Sequence, residues 1–461
     1  MKIRFLGAAQ TVTGSSFHLR SGKSEILIDA GMFQGPKNLR RRNWDPPPID
    51  PGSISAALLT HAHIDHVGYL PRLVRDGLKC PVHCTGGTRD LSGVLLADAA
   101  RLQEEEADHH NTKKTSRHFP AKPLFSQKDV LEAFELMEAH RYHKAVEILP
   151  GWTASFNEAG HILGSSWIDL RMGGRRLIFS GDLGRGNSPL LKDPRPPTGE
   201  CDVLVLESTY GDTKHSQSDV EESLAQTVFE VARRGGTLVI PAFAVERTQE
   251  IVYLLEELVR SKEVPALPVF IDSPMAVRAT KLFHRYESYY DEEAQELLDD
   301  GKQVLGHEKL RLCESVGASK AIADVSGPKI IVSASGMATG GRVLHHLQHY
   351  LPDPKNHVLL VGYQAEGTRG HRLEQGEENI KIFGRTVPVR AGVSRLEGMS
   401  GHADCNEVVR WASNLDKPPK VTFLVHGEPP AIRAQASVLR ERGWKVKAPQ
   451  YLQDIDLEKF W

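Results

Sequence analysis

The sequence predicts an α/β protein whose sheets are covered by helices, with a second α/β unit inserted into the first. Short apolar runs recur along the 461 residues, and each stops at a polar or glycine-rich turn, which is typical of buried strands. Helical patterns separate several of these runs. Histidine and aspartate clusters lie on both sides of the middle segment, so a shared site requires the chain to leave the first unit and return. The predicted domains are 1–211 and 393–461 for the first unit and 212–392 for the insert.

The individual elements follow from the apolar runs. Segment 1–7 lacks the apolar run and cleavage site of a signal peptide, and predicts a first strand instead. Further buried strands are predicted at 26–28, 57–59, 177–179, 203–206, 238–240, 330–332, 358–361 and 423–425. Helical patterns are predicted at 129–140 and 248–260.

The composition is that of a globular protein, with 40% hydrophobic and 25% charged residues and no apolar stretch long enough to cross a membrane. Five cysteines, an odd number, do not make a disulfide framework, so we expect reduced thiols. The N-terminal segment without signal-peptide features leads us to expect a cytoplasmic location. The net charge of −2 excludes a generally basic nucleic-acid-binding surface. A polyanion would have to bind a local patch such as Arg40, Arg41 and Arg42; alternatively, this cluster is an ordinary solvated surface.

A dense group of metal-binding residue types follows the predicted strand 57–59. His61, His63, Asp65 and His66 place three imidazoles and one carboxylate within six residues. A lone histidine is most often a satisfied polar group of a core, but four such groups in so little space are best reconciled by a cation. Nitrogen and oxygen ligands suit zinc above all. The segment therefore predicts a metal site.

Four further candidates lie elsewhere along the chain. Asp29 ends the predicted strand 26–28, Asp182 follows the strand 177–179, and His161 lies between two glycines in the segment 160–164. The carboxyl ends of strands are where α/β sheets place their sites. His402, near the end of the chain, completes the set.

The segment from His61 to His66, the glycine-flanked His161, Asp182 and the strand that ends at Asp29 resemble the four motifs of the metallo-β-lactamase superfamily. Glu207 in the segment 206–210, the segment 362–368 and the segment 400–404 resemble motifs A, B and C of the β-CASP nucleases. The resemblance covers essentially the whole chain and implies a metallo-β-lactamase αββα sandwich with an inserted α/β β-CASP domain. Because the first strand begins at Met1 without a preceding KH-like segment, the chain is most similar to the compact bacterial RNA nucleases related to cleavage and polyadenylation specificity factor.

The resemblance implies a ligand set for two zinc ions. It assigns one ion to His61, His63 and His161. It assigns the other ion to Asp65, His66 and His402. Asp182 would bridge the two ions, and Asp29 would orient a ligand without touching the metal. Two such ions activate a hydroxide for attack at phosphorus and neutralise charge on the leaving oxygen. Manganese or iron could occupy the same ligands.

The resemblance also implies the catalytic groups, which are Asp65, Glu207, His371 and His402. Glu207, with a nearby histidine, would handle the proton of the leaving group; alternatively, it is a carboxylate that caps a loop. At motif B the sequence departs from the family pattern, because the expected histidine position holds Arg372 and the histidine, His371, comes one residue earlier.

Four residues are candidate contacts to RNA phosphates. Arg369 and Arg372 could bind phosphate through charge-assisted hydrogen bonds. Ser335 and Gly336 lie in a glycine-rich loop, 333–341, whose hydroxyl and N–H groups could hold another phosphate. Such loops are equally often plain tight connections.

The metal ligands alone do not identify the substrate, since the superfamily cuts β-lactams, thioesters and phosphodiesters. The insert favours nucleic acid, and His402 at motif C favours RNA over DNA. We therefore expect a zinc-dependent ribonuclease, an endonuclease acting on single-stranded RNA. The alternatives are a metallo-hydrolase of DNA or of a small ester or thioester, and an inactive RNA-binding scaffold. The sequence leaves open the RNA cut, additional attack from a 5′ end and the formation of a homodimer.

Overall fold

A computed structural model of the chain describes residues 1–116, 118–216, 218–306 and 308–461. The chain folds into two compact units. Unit 1 consists of Met1–Ser188, Asp193–Lys214 and His402–Trp461. Unit 2 consists of Pro189–Lys192 and His215–Gly401. The chain therefore leaves unit 1 and returns to it, and unit 2 extends beyond the end of the predicted insert at residue 392.

Unit 1 contains two seven-stranded sheets. In spatial order the strands of the first are Asp454–Asp456, Lys2–Phe5, Phe17–Ser21, Ser24–Ile28, Ala56–Leu58, Val82–Thr85 and Met137–His140. The strands of the second are Val446–Lys447, Val421–Val425, Val203–Glu207, Arg175–Phe179, Ser166–Met172, Trp152–Glu158 and Val146–Leu149. Both sheets mix parallel and antiparallel pairs.

The two sheets of unit 1 pack face to face over an aromatic core. Phe5 of the first sheet has its ring centroid 5.2 Å from that of Phe423 in the second, and the rings of Phe17 and Phe179 are 6.1 Å apart. All four side chains are buried. Such inward-facing apolar side chains alternate with outward-facing ones along each strand, so each sheet has a second face to cover.

Helices cover the two outer faces of unit 1, where further apolar clusters are buried. The α-helices of this unit are Lys37–Arg41, Ile64–Val67, Leu70–Arg75, Gly86–Lys113, Gln127–Glu135, Cys405–Ala412 and Pro429–Glu441. Its short 3₁₀ helices are Arg42–Trp44, Pro51–Ser53 and Leu457–Phe460. The predicted αββα sandwich is thereby confirmed.

Unit 2 is built on a six-stranded parallel sheet. Its strands, in spatial order, are Leu310–Leu312, Val269–Ile271, Lys329–Ser333, Thr237–Pro241, His357–Leu360 and Gly392–Arg395. A hairpin is formed by Asn379–Ile382 and Arg385–Pro388. The α-helices are Val220–Arg234, Arg247–Arg260, Pro274–Arg285, Glu292–Asp299, Val316–Ala321, Val343–Tyr350 and Arg369–Glu374, and the 3₁₀ helices are Glu287–Tyr289 and Ile322–Asp324. Apolar clusters lie on both faces of the sheet, as a parallel sheet requires.

One predicted element differs from the structure. The helical pattern at 129–140 holds only to Glu135, because Met137–His140 forms an edge strand that pairs with Val82–Thr85. Ser126 begins the helix with a capping box to Asp129. The second predicted helix, 248–260, corresponds to Arg247–Arg260. Within the described ranges, no helix has the length and apolarity needed to span a membrane.

Candidate metal centre

The candidate residues of unit 1 follow the carboxyl ends of its strands. His61 comes shortly after Ala56–Leu58, and His63 precedes the short helix Ile64–Val67 that carries Asp65 and His66. His161 lies in the loop after Trp152–Glu158. Asp182 follows Arg175–Phe179. The apolar strands are buried in the sandwich. The polar side chains that follow their carboxyl ends lie together at one edge of it.

One group of four donors contains His61, His63, His161 and Asp182. His63 Nδ1 lies 3.1 Å from His61 Nε2 and 3.0 Å from His161 Nε2. Asp182 Oδ2 lies 3.6 Å from His61 Nε2 and 3.8 Å from His161 Nε2. One proton cannot form hydrogen bonds with the ring nitrogens of His61, His63 and His161 at the same time. A tetrahedral zinc ion with bonds of about 2.0–2.1 Å would hold its nitrogen ligands about 3.3–3.4 Å apart, close to this spacing.

A second donor group contains Asp65, His66 and His426. His66 Nε2 is 3.3 Å from His426 Nε2, which in turn is 3.4 Å from Asp65 Oδ2. The structure differs here from the sequence prediction, which gave the third place to His402. His426 reaches the group because it directly follows the strand Val421–Val425, whereas the Nδ1 atom of His402 faces Glu207.

Asp182 lies between the two donor groups. Its Oδ2 atom faces the first group, and its Oδ1 atom lies 3.3 Å from His66 Nε2 of the second. Oδ1 is buried and accepts no well-aligned hydrogen bond within the described part of the chain, and a buried oxygen without a partner is costly. A carboxylate that offers one oxygen to each group is suited to bridge two cations. The donor set therefore fits a pair of divalent metal ions such as zinc.

Asp29 contacts the second group through His66, on the ring nitrogen that lies away from the other donors. Its carboxylate accepts hydrogen bonds from Thr60 N at 2.7 Å, from Thr60 Oγ1 at 2.8 Å and from His66 Nδ1 at 2.8 Å. In a neutral His66 ring the last bond would hold the proton on Nδ1 and leave the Nε2 lone pair for a metal. Asp29 adopts a φ of +58°, a conformation that asparagine and aspartate tolerate better than other residues with side chains.

Close backbone packing keeps these loops in place. A Cβ atom at Gly31 would lie 1.7 Å from the carbonyl oxygen of Asp65, and one at Gly184 would lie 1.7 Å from that of Gly160. Only glycine permits such approaches. The segments that carry Asp65 and His161 are therefore positioned by glycine contacts.

The protonation states of His63, Asp182 and Asp65 favour metal binding. Burial lowers the pKa of His63 to about 4, so this imidazole is neutral at pH 7, as a ligand must be. Burial opposes ionisation of Asp182, but the neighbouring His426 and His66 bring its pKa well below the ordinary value. Asp65 is likewise held ionised, with a pKa lowered to about 2 because hydrogen bonding to His426 and the charge of His66 outweigh burial.

Glu207 and His402 form a separate pair beside the first group. Glu207 is fully buried, and its oxygens accept hydrogen bonds from Leu183 N at 2.7 Å and Thr209 N at 3.1 Å. His402 Nδ1 lies 3.5 Å from Glu207 Oε1, and its ring centroid is 4.4 Å from that of His161. Burial alone would lower the pKa of His402, but Glu207 raises it above the ordinary value. The pair thus joins a fixed carboxylate to an imidazole next to a candidate ligand.

Comparison with known proteins agrees with this geometry. Three family models match the chain: the beta-lactamase superfamily domain at 24–241, the Beta-Casp domain at 248–373 and the Zn-dependent metallo-hydrolase RNA specificity domain at 386–449. Ribonuclease TTHA0252 of Thermus thermophilus is 38% identical over 458 residues, which span 99% of this chain and 100% of the relative. The chain belongs to the β-CASP family of metallo-β-lactamase-fold ribonucleases. It is therefore a hydrolytic enzyme of the nuclease class.

Other relatives extend the comparison. An RNase J-like protein of Methanocaldococcus jannaschii is 30% identical, with 98% of this chain and 97% of the relative covered. Transcription termination factor FttA of the same organism is 31% identical over 93% of this chain and 67% of its own length. A crystal structure of a protein of unknown function from Enterococcus faecalis shares the fold, with a TM-score of 0.56 at 13% identity, and the match covers 98% of this chain and 99% of that one.

Three of the β-CASP candidates, Arg369, His371 and Arg372, lie on one short helix of unit 2. The helix Arg369–Glu374 begins after Thr368, whose hydroxyl accepts a hydrogen bond from His371 N. His371 Nδ1 lies 3.8 Å from Glu374 Oε2. Arg372 is paired with Glu377, with Nε 2.8 Å from Oε1. A phosphate at Arg372 would have to compete with this carboxylate, and the role of His371 stays a prediction.

The remaining phosphate candidates take part in the structure of a β-CASP loop. Arg369 donates to the carbonyl oxygens of Ala338 and Thr339 at 3.3 and 3.2 Å. Ser335 Oγ accepts a hydrogen bond from Thr339 N at 3.0 Å and so closes its own turn. Gly336 is buried. These contacts give Arg369 and Ser335 a structural role, and their predicted phosphate contacts remain untested.

His426 is the functional candidate that the sequence analysis missed. It follows a buried strand and precedes Gly427, and it adopts a φ of +49°, which is uncommon for a residue with a side chain. The pattern of an apolar run followed by a metal-binding residue type is the one that identified Asp29 and Asp182. That pattern applied at residue 426 would have found it.

Proposed function

We propose that the chain is a zinc-dependent endoribonuclease that hydrolyses phosphodiester bonds of single-stranded RNA with two metal ions. The observation that carries this proposal is the pair of donor groups with Asp182 between them. One group offers His61, His63 and His161, and the other offers Asp65, His66 and His426. RNA as the substrate is supported by the matched RNA specificity domain and by relatives named as ribonucleases.

Two divalent ions in these positions would supply Lewis acidity, which activates water at neutral pH and neutralises negative charge on the phosphate. The protein's own part is to hold the ligands in a fixed geometry. Asp29 fixes the ring of His66 through Nδ1, and Asp182 serves both groups from one buried position. Preorganised ligands of this kind do not have to reorient during the reaction.

The pair of Glu207 and His402 is the proposed source of the proton for the leaving oxygen. Two backbone N–H groups hold the Glu207 carboxylate in place, and the carboxylate faces Nδ1 of His402. A proton on Nδ1 would face this carboxylate, which would leave Nε2 as the ring nitrogen available to the substrate. Protonated His402 would donate a proton to the departing oxygen as the phosphorus–oxygen bond breaks.

Cleavage of matched RNA and DNA tests the proposal. The purified protein is incubated with an end-labelled single-stranded RNA and with the DNA of the same sequence, before chelation, after chelation and after return of zinc. We expect cuts inside the RNA only, lost on chelation, restored by zinc and absent in His63→Ala. His109→Ala, at an exposed position of the helix Gly86–Lys113, is the matched control and should cut like the wild type. Metal-loaded protein that cuts neither strand, or that cuts DNA equally well, would contradict the proposal.

A further inference from the structure

An exposed aromatic side chain follows a central strand of the unit 2 sheet. The strand Thr237–Pro241 lies between Lys329–Ser333 and His357–Leu360, and all three run parallel. Their carboxyl ends share one edge, which is where open parallel sheets bind ligands. Phe243 lies just beyond this strand end and exposes 47% of its surface. Because a single exposed phenylalanine is ordinary on a protein surface, its surroundings decide whether it has a role.

The loops on either side of Phe243 carry glycines where they meet its ring. A Cβ atom at Gly336 would lie 3.2 Å from Phe243 Cδ2, and one at Gly362 would lie 3.9 Å from Cε2. Neither position carries a side chain that could cover the ring. The buried side chain of Gln364 donates hydrogen bonds to the carbonyl oxygens of both glycines, each at 3.1 Å. The two loops are thus tied together beside a ring that stays open to solvent.

The backbone that carries Phe243 is also fixed. Its carbonyl oxygen accepts hydrogen bonds from Thr248 Oγ1 at 2.7 Å and from Thr248 N at 3.2 Å. The preceding residue, Ala242, donates its N–H to Ser333 O at 3.1 Å. Little conformational freedom remains to be lost when a partner covers the ring, which favours binding.

We infer that Phe243 is a stacking platform for an unpaired base of the RNA substrate. The inference rests on the proposed function, because it takes single-stranded RNA to be the ligand. Bases of single strands stack on exposed aromatic side chains whatever their identity, since every base has a π face. A base in a duplex has no free face, so such a platform also selects unpaired RNA. Gly336, predicted above to contact phosphate, here contributes by leaving the ring uncovered.

Binding to metal-free protein tests the inference without cleavage. Fluorescence anisotropy measures the Kd of a labelled oligouridine for chelated wild type, Phe243→Ala and Phe243→Tyr. The exposed Phe229 of the helix Val220–Arg234 provides the matched control, Phe229→Ala. Removal of one stacking ring should weaken binding about 5- to 100-fold. Phe243→Tyr and Phe229→Ala should bind like the wild type.

A second ligand separates stacking from an indirect effect on the fold. With an oligomer of abasic ribose phosphates of the same length, wild type and Phe243→Ala should bind equally, and the salt dependence should be the same because no phosphate contact changes. Equal binding of oligouridine by wild type and Phe243→Ala would overturn the inference, as would an equal loss on both ligands. If the wild type cleaves RNA, only the inference fails in these cases. A wild type that neither binds nor cleaves RNA overturns the proposed function as well.

Discussion

Replacing Asp29 by asparagine separates ligand orientation from the overall shape of the site. Asparagine has the same size and tolerates the φ of +58° observed there, but one of its two terminal atoms is a donor. Asp29 accepts hydrogen bonds from Thr60 N, Thr60 Oγ1 and His66 Nδ1. In either orientation of the amide, an N–H group faces the N–H of Thr60 or of His66.

Hydrogen bonds to a charged acceptor contribute about 1.5–3 kcal/mol each. We therefore expect Asp29→Asn to lower the free energy of unfolding of the metal-free protein by about 2–3 kcal/mol. Loss of a partner that orients a metal-binding histidine weakens metal binding about 10–100-fold. The weakened position should be the one that contains His66.

Two measurements check these values. Urea unfolding of the chelated protein gives the change in stability, and zinc titration against a competing chelator gives the affinity of each position. The exposed Asp108 provides the matched control, Asp108→Asn, which should change neither quantity. Unaltered zinc affinity in a destabilised Asp29→Asn would refute the orienting role and leave Asp29 as a structural residue.

Three further predictions concern other groups. Glu207→Gln should lower the RNA cleavage rate about 10²–10⁴-fold while the bound metal, measured by elemental analysis, stays unchanged; metal loss would instead assign Glu207 to the ligands. Gly184→Ala should abolish stable folding or metal binding, because its Cβ atom would lie 1.7 Å from the carbonyl oxygen of Gly160; a normal zinc content and melting temperature would show that these loops can separate. Burial raises the pKa of Asp272, but hydrogen bonds from His346, Ser319 and Arg342 outweigh it and lower the pKa. The carboxylate's stabilisation is therefore present above its ordinary pKa, about 4, and is lost as the pH falls through the lower, folded value. The stability difference between wild type and Asp272→Asn in urea should shrink from pH 6 to pH 3, and a constant difference would contradict this.

Much of the fold could be predicted because its strands are fully apolar runs with sharp polar ends. The runs at 177–179 and 423–425 both form buried strands of one sheet. The segment 129–140 was harder, because a helical pattern at its start continues into the edge strand Met137–His140. The pairing of that strand with Val82–Thr85 depends on a distant segment. Local pattern alone does not contain this information.

The candidate site could be predicted only in part. Spacing identifies a dense group such as His61 to His66, but it does not decide which of two distant histidines reaches the same group. His402 and His426 both lie in the returning segment of unit 1. The strand pairing of Val421–Val425 with Val203–Glu207 brings His426 to Asp65, and the buried Glu207 faces His402. Three-dimensional packing therefore sets these assignments.

Counting the bound metal most directly tests the central claim, that two metal ions share Asp182 and that His426 holds the second. Zinc per chain is measured by mass spectrometry after gel filtration for wild type, His426→Ala and His402→Ala. We predict two ions in the wild type, two in His402→Ala and one in His426→Ala. Two ions retained by His426→Ala with one lost from His402→Ala, or a single ion in the wild type, would contradict it.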